Sequence, residues 1–132
     1  MLFERARFPH NTLTGTDISK EAIAIARKNE RHCNSGARFL VKNALTPFSH
    51  RYDEVLCNLP FGIRVANHAH NLALYQSFFA ALPDILKPDG YAFLFTHEKK
   101  LLMQCIDSFT LVARHTFSAG GLFPSVFVLR PN

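Results

Sequence analysis

A chain of 132 residues, 48% hydrophobic and 19% charged, has the size of one domain and enough apolar material for one core, which excludes a disordered or fibrous chain. Its formal charge of +5, with seven histidines uncounted, favours an anionic partner such as nucleic acid, phosphate or an acidic membrane surface, although the basic residues of "FERARF", "ARKNERH" and "HEKKLL" are scattered and form no block. Cys33, Cys57 and Cys105 stand too far apart for a disulfide framework or a CxxC metal site, and no run of about 18 apolar residues or apolar leader is present, so the expectation is a soluble protein of the reducing cytoplasm.

In chain order, "NTLTGTD" is short and β-branched and reads as a strand ending at Asp17. Ser19 then caps a helix, "KEAIAIARKNERH", in which Ile23, Ala26 and Arg27 recur at helical spacing with Ile25 flanking the same face, and Gly36 follows as a stop signal. "ARFLV" and "YDEVLCN" read as two further strands. "LALYQSFFAALPDIL" reads as a strongly apolar helix in which Pro83 predicts a kink or an early break near Leu82. "KPDG" reads as a turn, "YAFLFT" as a strand covered on both faces, and "EKKLLMQCI" as a short helix. "FTLVARHTFS" and "SVFVLRP", separated by "AGGLFP", form an antiparallel hairpin with a long loop. The expectation is a single domain of the α/β class, with a mostly parallel sheet, helices on its faces and a hairpin at one edge.

In such sheets ligands sit at the carboxyl ends of the strands, which directs attention to Asp17, Asn43 and Asn58. An acid at the end of the first strand can accept hydrogen bonds from the two hydroxyls of a ribose; equally, Asp17 can cap the helix that starts near Ser19. Asn43, followed by the small Ala44, can read the polar edge of an adenine, or simply make a turn. In Asn58, Leu59, Pro60 and Phe61 a side-chain amide oxygen and a backbone carbonyl stand side by side. Together they can accept both hydrogens of an exocyclic NH2 group and steer its lone pair toward an electrophile. Pro60 stiffens the turn, and the ring of Phe61 offers a face for an unstacked base, a contact worth roughly 1–3 kcal/mol in single-strand binders. The competing reading is a proline-broken strand end with Phe61 in the core.

"NLPFGIR" resembles the fourth motif of S-adenosylmethionine-dependent amino methyltransferases, and its Gly62, Ile63 and Arg64 resemble the RNA methylases found with a THUMP domain, which modify the N2 amine of a guanosine in tRNA. "TGTDISKEAIAIARKN" is similar to that family's second motif, "KNAL" to its third with Asn43 in place of the usual acid, and "NLALYQSFFAALPDILKPDGYAFLFT" to the helix, turn and strand that follow. The resemblance runs from about Leu13 to the C-terminus. It implies a Rossmann-like class I methyltransferase sheet that binds S-adenosylmethionine. Asp17 would hold the ribose, Ile18 would pack on the adenine, and Asn43 and Ala44 would meet its edge. Asn58, which would also contact the cofactor, and the Leu59 carbonyl would hold the target amine, with Pro60 shaping the turn. Phe61 would stack on the guanine, and Gly62 and Arg64 would contact the substrate RNA, Arg64 through a phosphate.

Nothing before Asp17 resembles the family's first motif, an acidic, glycine-rich loop after a central strand; "MLFERARF" is similar at most to the tail of the helix behind it. The expectation is therefore a partial catalytic domain without its THUMP region. The gap would be closed by direct pairing of the strands ending at Asp17 and Asn58, or filled by strand exchange with a second copy. Alternatives that remain open are an N6-adenine or glutamine-amide methyltransferase, since the turn serves any planar NH2, and a non-catalytic RNA-binding remnant. A zinc site at His68 and His70, read as a loop, lacks a four-ligand pattern, so no metal is expected. Cys57 reads as a packing residue and not a nucleophile, and Phe78 and Phe79 as core.

Overall fold

The computed structural model of the protein describes residues 1–60 and 65–132. Two compact units are present, Met1–Thr46 and Pro47–Asn132.

In the first unit, helix α1 (Leu2–Arg5) precedes a β-α-β arrangement of strand β1 (Thr14–Asp17), helix α2 (Lys20–Cys33) and strand β2 (Arg38–Val41). β1 and β2 pair in parallel from Thr14 opposite Arg38 to Asp17 opposite Val41. Ser19 caps α2 as expected, its hydroxyl accepting the Ala22 amide at 3.1 Å. The helix ends at Cys33, and the left-handed residue that closes it stands two positions before the expected glycine. Asn34 takes the left-handed conformation (φ 50°) and returns its amide to the Glu30 carbonyl, while the Glu30 carboxylate accepts the Gly36 amide at 2.7 Å and the Ser35 hydroxyl. Ile23 is the buried residue of α2. Ile25, expected on the same face, is exposed, because a two-residue step turns a helix by about 200°. Arg27 folds back instead, donating from Nε and Nη2 to the Phe39 carbonyl. Gly15 lets the Phe39 ring approach β1: a Cβ there would lie 2.6 Å from the ring.

The second unit is built from strand β3 (Tyr52–Asn58), helix α3 (Val65–Ile85), strand β4 (Leu86–Thr96), helix α4 (Lys99–Met103) and strands β5 (Phe109–Thr116) and β6 (Ser125–Pro131), with sheet order β3-β4-β6-β5. β3 and β4 are parallel, joined by the α3 crossover, and the C-terminal hairpin adds β6 and β5 antiparallel, as its sequence predicts. The α/β class is thus observed with both pairing senses. The core holds Tyr75, Phe78, Phe79, Leu82 and Ile85 of α3 against Ala92 and Leu94 of β4 and Phe127 and Leu129 of β6. Phe78 and Phe79 are core residues, as expected.

Four expectations are corrected. Helix α3 begins at Val65, seven residues before the apolar run, so His68 and His70 are helical and not in a loop. Pro83 does not break it at Leu82; the helix continues to Ile85, because a proline so near the end removes only one late hydrogen bond. "YAFLFT" buries Ala92, Leu94 and Thr96 completely but leaves Phe93 and Phe95 half-covered and Tyr91 exposed, so one face alone is sealed. "KPDG" is not a turn between elements but an excursion inside β4: Tyr52 pairs with Leu86 and Glu54 with Tyr91, leaving Lys87 to Gly90 opposite Asp53 alone. Lys87 Nζ meets Asp53 Oδ1 at 2.7 Å, and a Cβ on Gly90 would lie 2.7 Å from the Asp53 carbonyl oxygen.

Among the described residues, β1 and β3 belong to different sheets, each hydrogen-bonded on one side only. Direct pairing of the strands ending at Asp17 and Asn58 is therefore not the arrangement adopted.

Candidate active site

Two sets of residues occupy strand carboxyl ends, one in each unit. In the first, the Lys42 amide donates to the Asp17 carbonyl at 2.9 Å, extending the parallel ladder one step past Val41 and bringing Asp17 and Asn43 to the same end of the two-stranded sheet. The Asp17 side chain is exposed there. Its Oδ1 accepts the Ser19 amide at 2.8 Å, which fixes the carboxylate, and Oδ2 has no partner among the described residues. Ile18 projects an apolar side chain into solvent at 73% exposure, which is unusual for isoleucine. Asn43 Oδ1 accepts the Leu45 amide at 2.9 Å and its carbonyl accepts Thr46, so the turn reading of Asn43 holds, with the exposed amide nitrogen still free to donate. Ala44 is half-buried beside it. A fixed carboxylate, an exposed apolar side chain and an exposed amide edge thus stand at one end of the two-stranded sheet.

In the second unit, the Leu59 amide donates to the Phe95 carbonyl at 2.9 Å, carrying the β3–β4 ladder past Asn58. Successive strand residues point to opposite sides, so the buried Leu59 side chain anchors the segment while Asn58 stands exposed. The next carbonyl, that of Pro60, is held by Tyr75. The Tyr75 hydroxyl donates to Pro60 O at 2.9 Å and lies 2.6 Å from Thr96 Oγ1. Because Tyr75 has one proton and commits it to Pro60, Thr96 donates to Tyr75, and Thr96 Oγ1 in turn accepts the Glu98 amide at 2.9 Å. Burial, more than this hydrogen bonding relieves, pushes the Tyr75 phenol up to about 12. Among the described residues no donor reaches the Leu59 carbonyl or the Asn58 side-chain oxygen. Cys57, the residue before Asn58, has its thiol raised to about 11 by burial, consistent with packing and not with a thiolate nucleophile.

Phe61, Gly62 and Arg64 lie outside the described residues. Among the described residues, no group of three or more His, Cys, Asp or Glu could hold a metal ion. Tyr75 and Thr96 are the residues that sequence reasoning missed. The signal for Tyr75 was a single phenol in an otherwise aliphatic and phenylalanine stripe, where a buried hydroxyl needs a partner.

Residues 2–121 match the RMKL-like methyltransferase domain of the UPF0020 family. The chain belongs to that family. It is similar to the tRNA (guanine(6)-N2)-methyltransferase of Thermus thermophilus, with 29% identity over 125 residues, covering 92% of this chain and 37% of that protein. The crystal structure of TrmN from Thermus thermophilus superposes with a TM-score of 0.84 at 26% identity, covering 98% of this chain and 40% of that one. The release factor glutamine methyltransferase of Chlamydia trachomatis serovar L2 shares 33% identity over 81 residues, covering 61% of this chain and 24% of that protein. The RMKL-like domain described here therefore spans at most two fifths of the length of these relatives. Among the described residues, no helix is long and apolar enough to cross a membrane.

Proposed function

We propose that the chain is a partial catalytic domain of a cytoplasmic methyltransferase that transfers a methyl group from S-adenosylmethionine to the N2 amine of a guanosine in tRNA. The observation that carries this reading is the Asn58–Pro60 turn at the end of β3, with an exposed Asn58 amide, a Leu59 carbonyl that no donor among the described residues reaches, and the following carbonyl held by Tyr75. When bound, S-adenosylmethionine supplies an electrophilic sulfonium methyl. Asp17 Oδ2 accepts from the ribose hydroxyls, Ile18 covers one face of the adenine, and Asn43 and Ala44 meet its edge. Asn58 Oδ1 and the Leu59 carbonyl accept the two N–H bonds of the target amine, which turns its lone pair out of the plane of conjugation. The contribution is positioning: neither acceptor removes a proton, and the nitrogen, once methylated, gives its surplus proton to solvent. Phe61 stacks on the guanine, and Gly62 and Arg64 meet the RNA backbone, in keeping with the net charge of +5.

The similarity to a release factor glutamine methyltransferase favours a second reading, in which the same turn holds a glutamine side-chain amide. Methyl transfer from labelled S-adenosylmethionine to tRNA transcripts, with a glutamine-bearing peptide and an adenine-rich RNA alongside, separates these substrates. Calorimetry with S-adenosylhomocysteine tests the cofactor half independently. Binding weakened by Asp17→Ala supports the assignment, and RNA binding with no cofactor binding at all would make the chain a non-catalytic RNA-binding remnant.

A further inference from the structure

The amide of Asn71 has no place in the scheme above. Asn71 is 4% exposed, and its Nδ2 is buried without a hydrogen-bond partner among the described residues. Leaving such a donor unpaired costs about 1–3 kcal/mol, so a polar side chain retained there calls for a partner.

Its position says where that partner lies. Asn71, Tyr75, Phe78 and Leu82 form the buried stripe of α3, at the i, i+4, i+7, i+11 spacing of one helix face. Tyr75 marks the level of the strand ends, because its hydroxyl touches both Pro60, just past β3, and Thr96, the last residue of β4. α3 returns from the carboxyl end of β3 to the amino end of β4, so Asn71, one turn or about 5.4 Å nearer its N-terminus than Tyr75, lies toward the strand carboxyl ends. That is the zone in which parallel α/β sheets hold their ligands, on the side of the Asn58–Pro60 turn.

We propose that Asn71 Nδ2 is a specificity donor for the base whose amine the turn holds. This rests on reading Asn58 and Leu59 as the amine clamp. A clamp of two acceptors recognises any planar NH2 and cannot distinguish the group behind it. A guanine carries an acceptor, N3, on one side of its N2 amine and a donor, N1–H, on the other. An amide N–H arriving from α3 satisfies N3, is repelled by N1–H, and so fixes which way round the base lies in the clamp.

The test is 15N NMR of the 132-residue chain with S-adenosylhomocysteine present, titrated with guanosine 5′-monophosphate and with its 3-deaza analogue, which keeps the amine and lacks the N3 acceptor. Guanosine monophosphate is expected to move the Asn58 amide signals and the Asn71 side-chain NH2 together, and the 3-deaza analogue to move Asn58 alone. Asn71→Leu should weaken guanosine monophosphate binding about 5- to 30-fold and leave the analogue unaffected, the size expected when one buried polar partner is lost. Should that variant fail to fold, the wild-type spectra decide. Movement of Asn58 with a stationary Asn71 NH2 would overturn the assignment and leave the clamp intact, the amide then serving an internal water. If neither moves, the clamp reading itself falls, and this inference with it.

Discussion

Tyr75→Phe is the most direct probe of how the Asn58–Pro60 turn is held. The substitution deletes one oxygen and keeps the ring in a site that is fully buried. Two hydrogen bonds go with it, at 2.9 Å to the Pro60 carbonyl and 2.6 Å to Thr96 Oγ1. Thr96 is also fully buried, so its hydroxyl proton is left with no acceptor, while its oxygen keeps the Glu98 amide. Pro60 is exposed and recruits water, which offsets part of its loss. The net cost is expected at about 1–2 kcal/mol, read as a lower urea midpoint with an unchanged slope. Thr96→Val and the double variant complete a cycle in which the pair should couple by about 1 kcal/mol; additivity to within about 0.3 kcal/mol would refute the proposed hydroxyl chain. The functional limb is read at the turn: in Tyr75→Phe the Leu59 amide, which donates to Phe95, should exchange faster with solvent, and methyl transfer should lose kcat with little change in KM.

Stability should also fall at high pH. The Cys57 thiol sits at about 11 in the folded chain against an ordinary 9.0, and the Tyr75 phenol at about 12 against 10.0; the unfolded chain therefore loses these protons first, and stability is complete below pH 9 and declines from there to pH 12, by roughly 1–3 kcal/mol per group. Cys57→Ala should flatten the lower part of that decline and Tyr75→Phe the upper part, as followed by denaturation at fixed pH. In the first unit, Gly15→Ala should destabilise by about 1–3 kcal/mol because its Cβ would meet the Phe39 ring at 2.6 Å, and adding Phe39→Leu should recover part of the loss in thermal melts. Asn58→Ala should abolish methyl transfer and lower S-adenosylhomocysteine affinity less than Asp17→Ala does, as calorimetry would read, since the proposed role of Asn58 falls mainly on the target amine. The edges of β1 and β3 that have no strand partner among the described residues predict self-association by strand exchange, which sedimentation would report as a species heavier than 14.9 kDa that dissociates on dilution.

What could be seen in the sequence was what a side chain declares at an element's end. Asp17, Asn43 and Asn58 were found because a polar residue closing an apolar strand is visible letter by letter, and the structure puts each just where a parallel strand stops. Ser19 was found for the same reason, as a cap before a helical period. What stayed hidden depends on partners that have no letter of their own. Pro60 takes part in the turn through a backbone carbonyl, so nothing in its name announces that Tyr75, fifteen residues on, will donate to it. The four-residue excursion of Lys87–Gly90 is equally invisible, because it is defined by register against Asp53 and not by the turn residues that compose it. The start of α3 was missed because "VANHAHN" carries neither an apolar period nor a clear cap, and its helicity comes from continuity with the buried stripe that follows. That stripe also held a further signal left unread. Asn71 stands four residues before Tyr75, where the pattern calls for an apolar side chain. An amide on a buried face, aligned with the phenol that holds the Asn58–Pro60 turn, is a local break in pattern of the kind that marks functional sites.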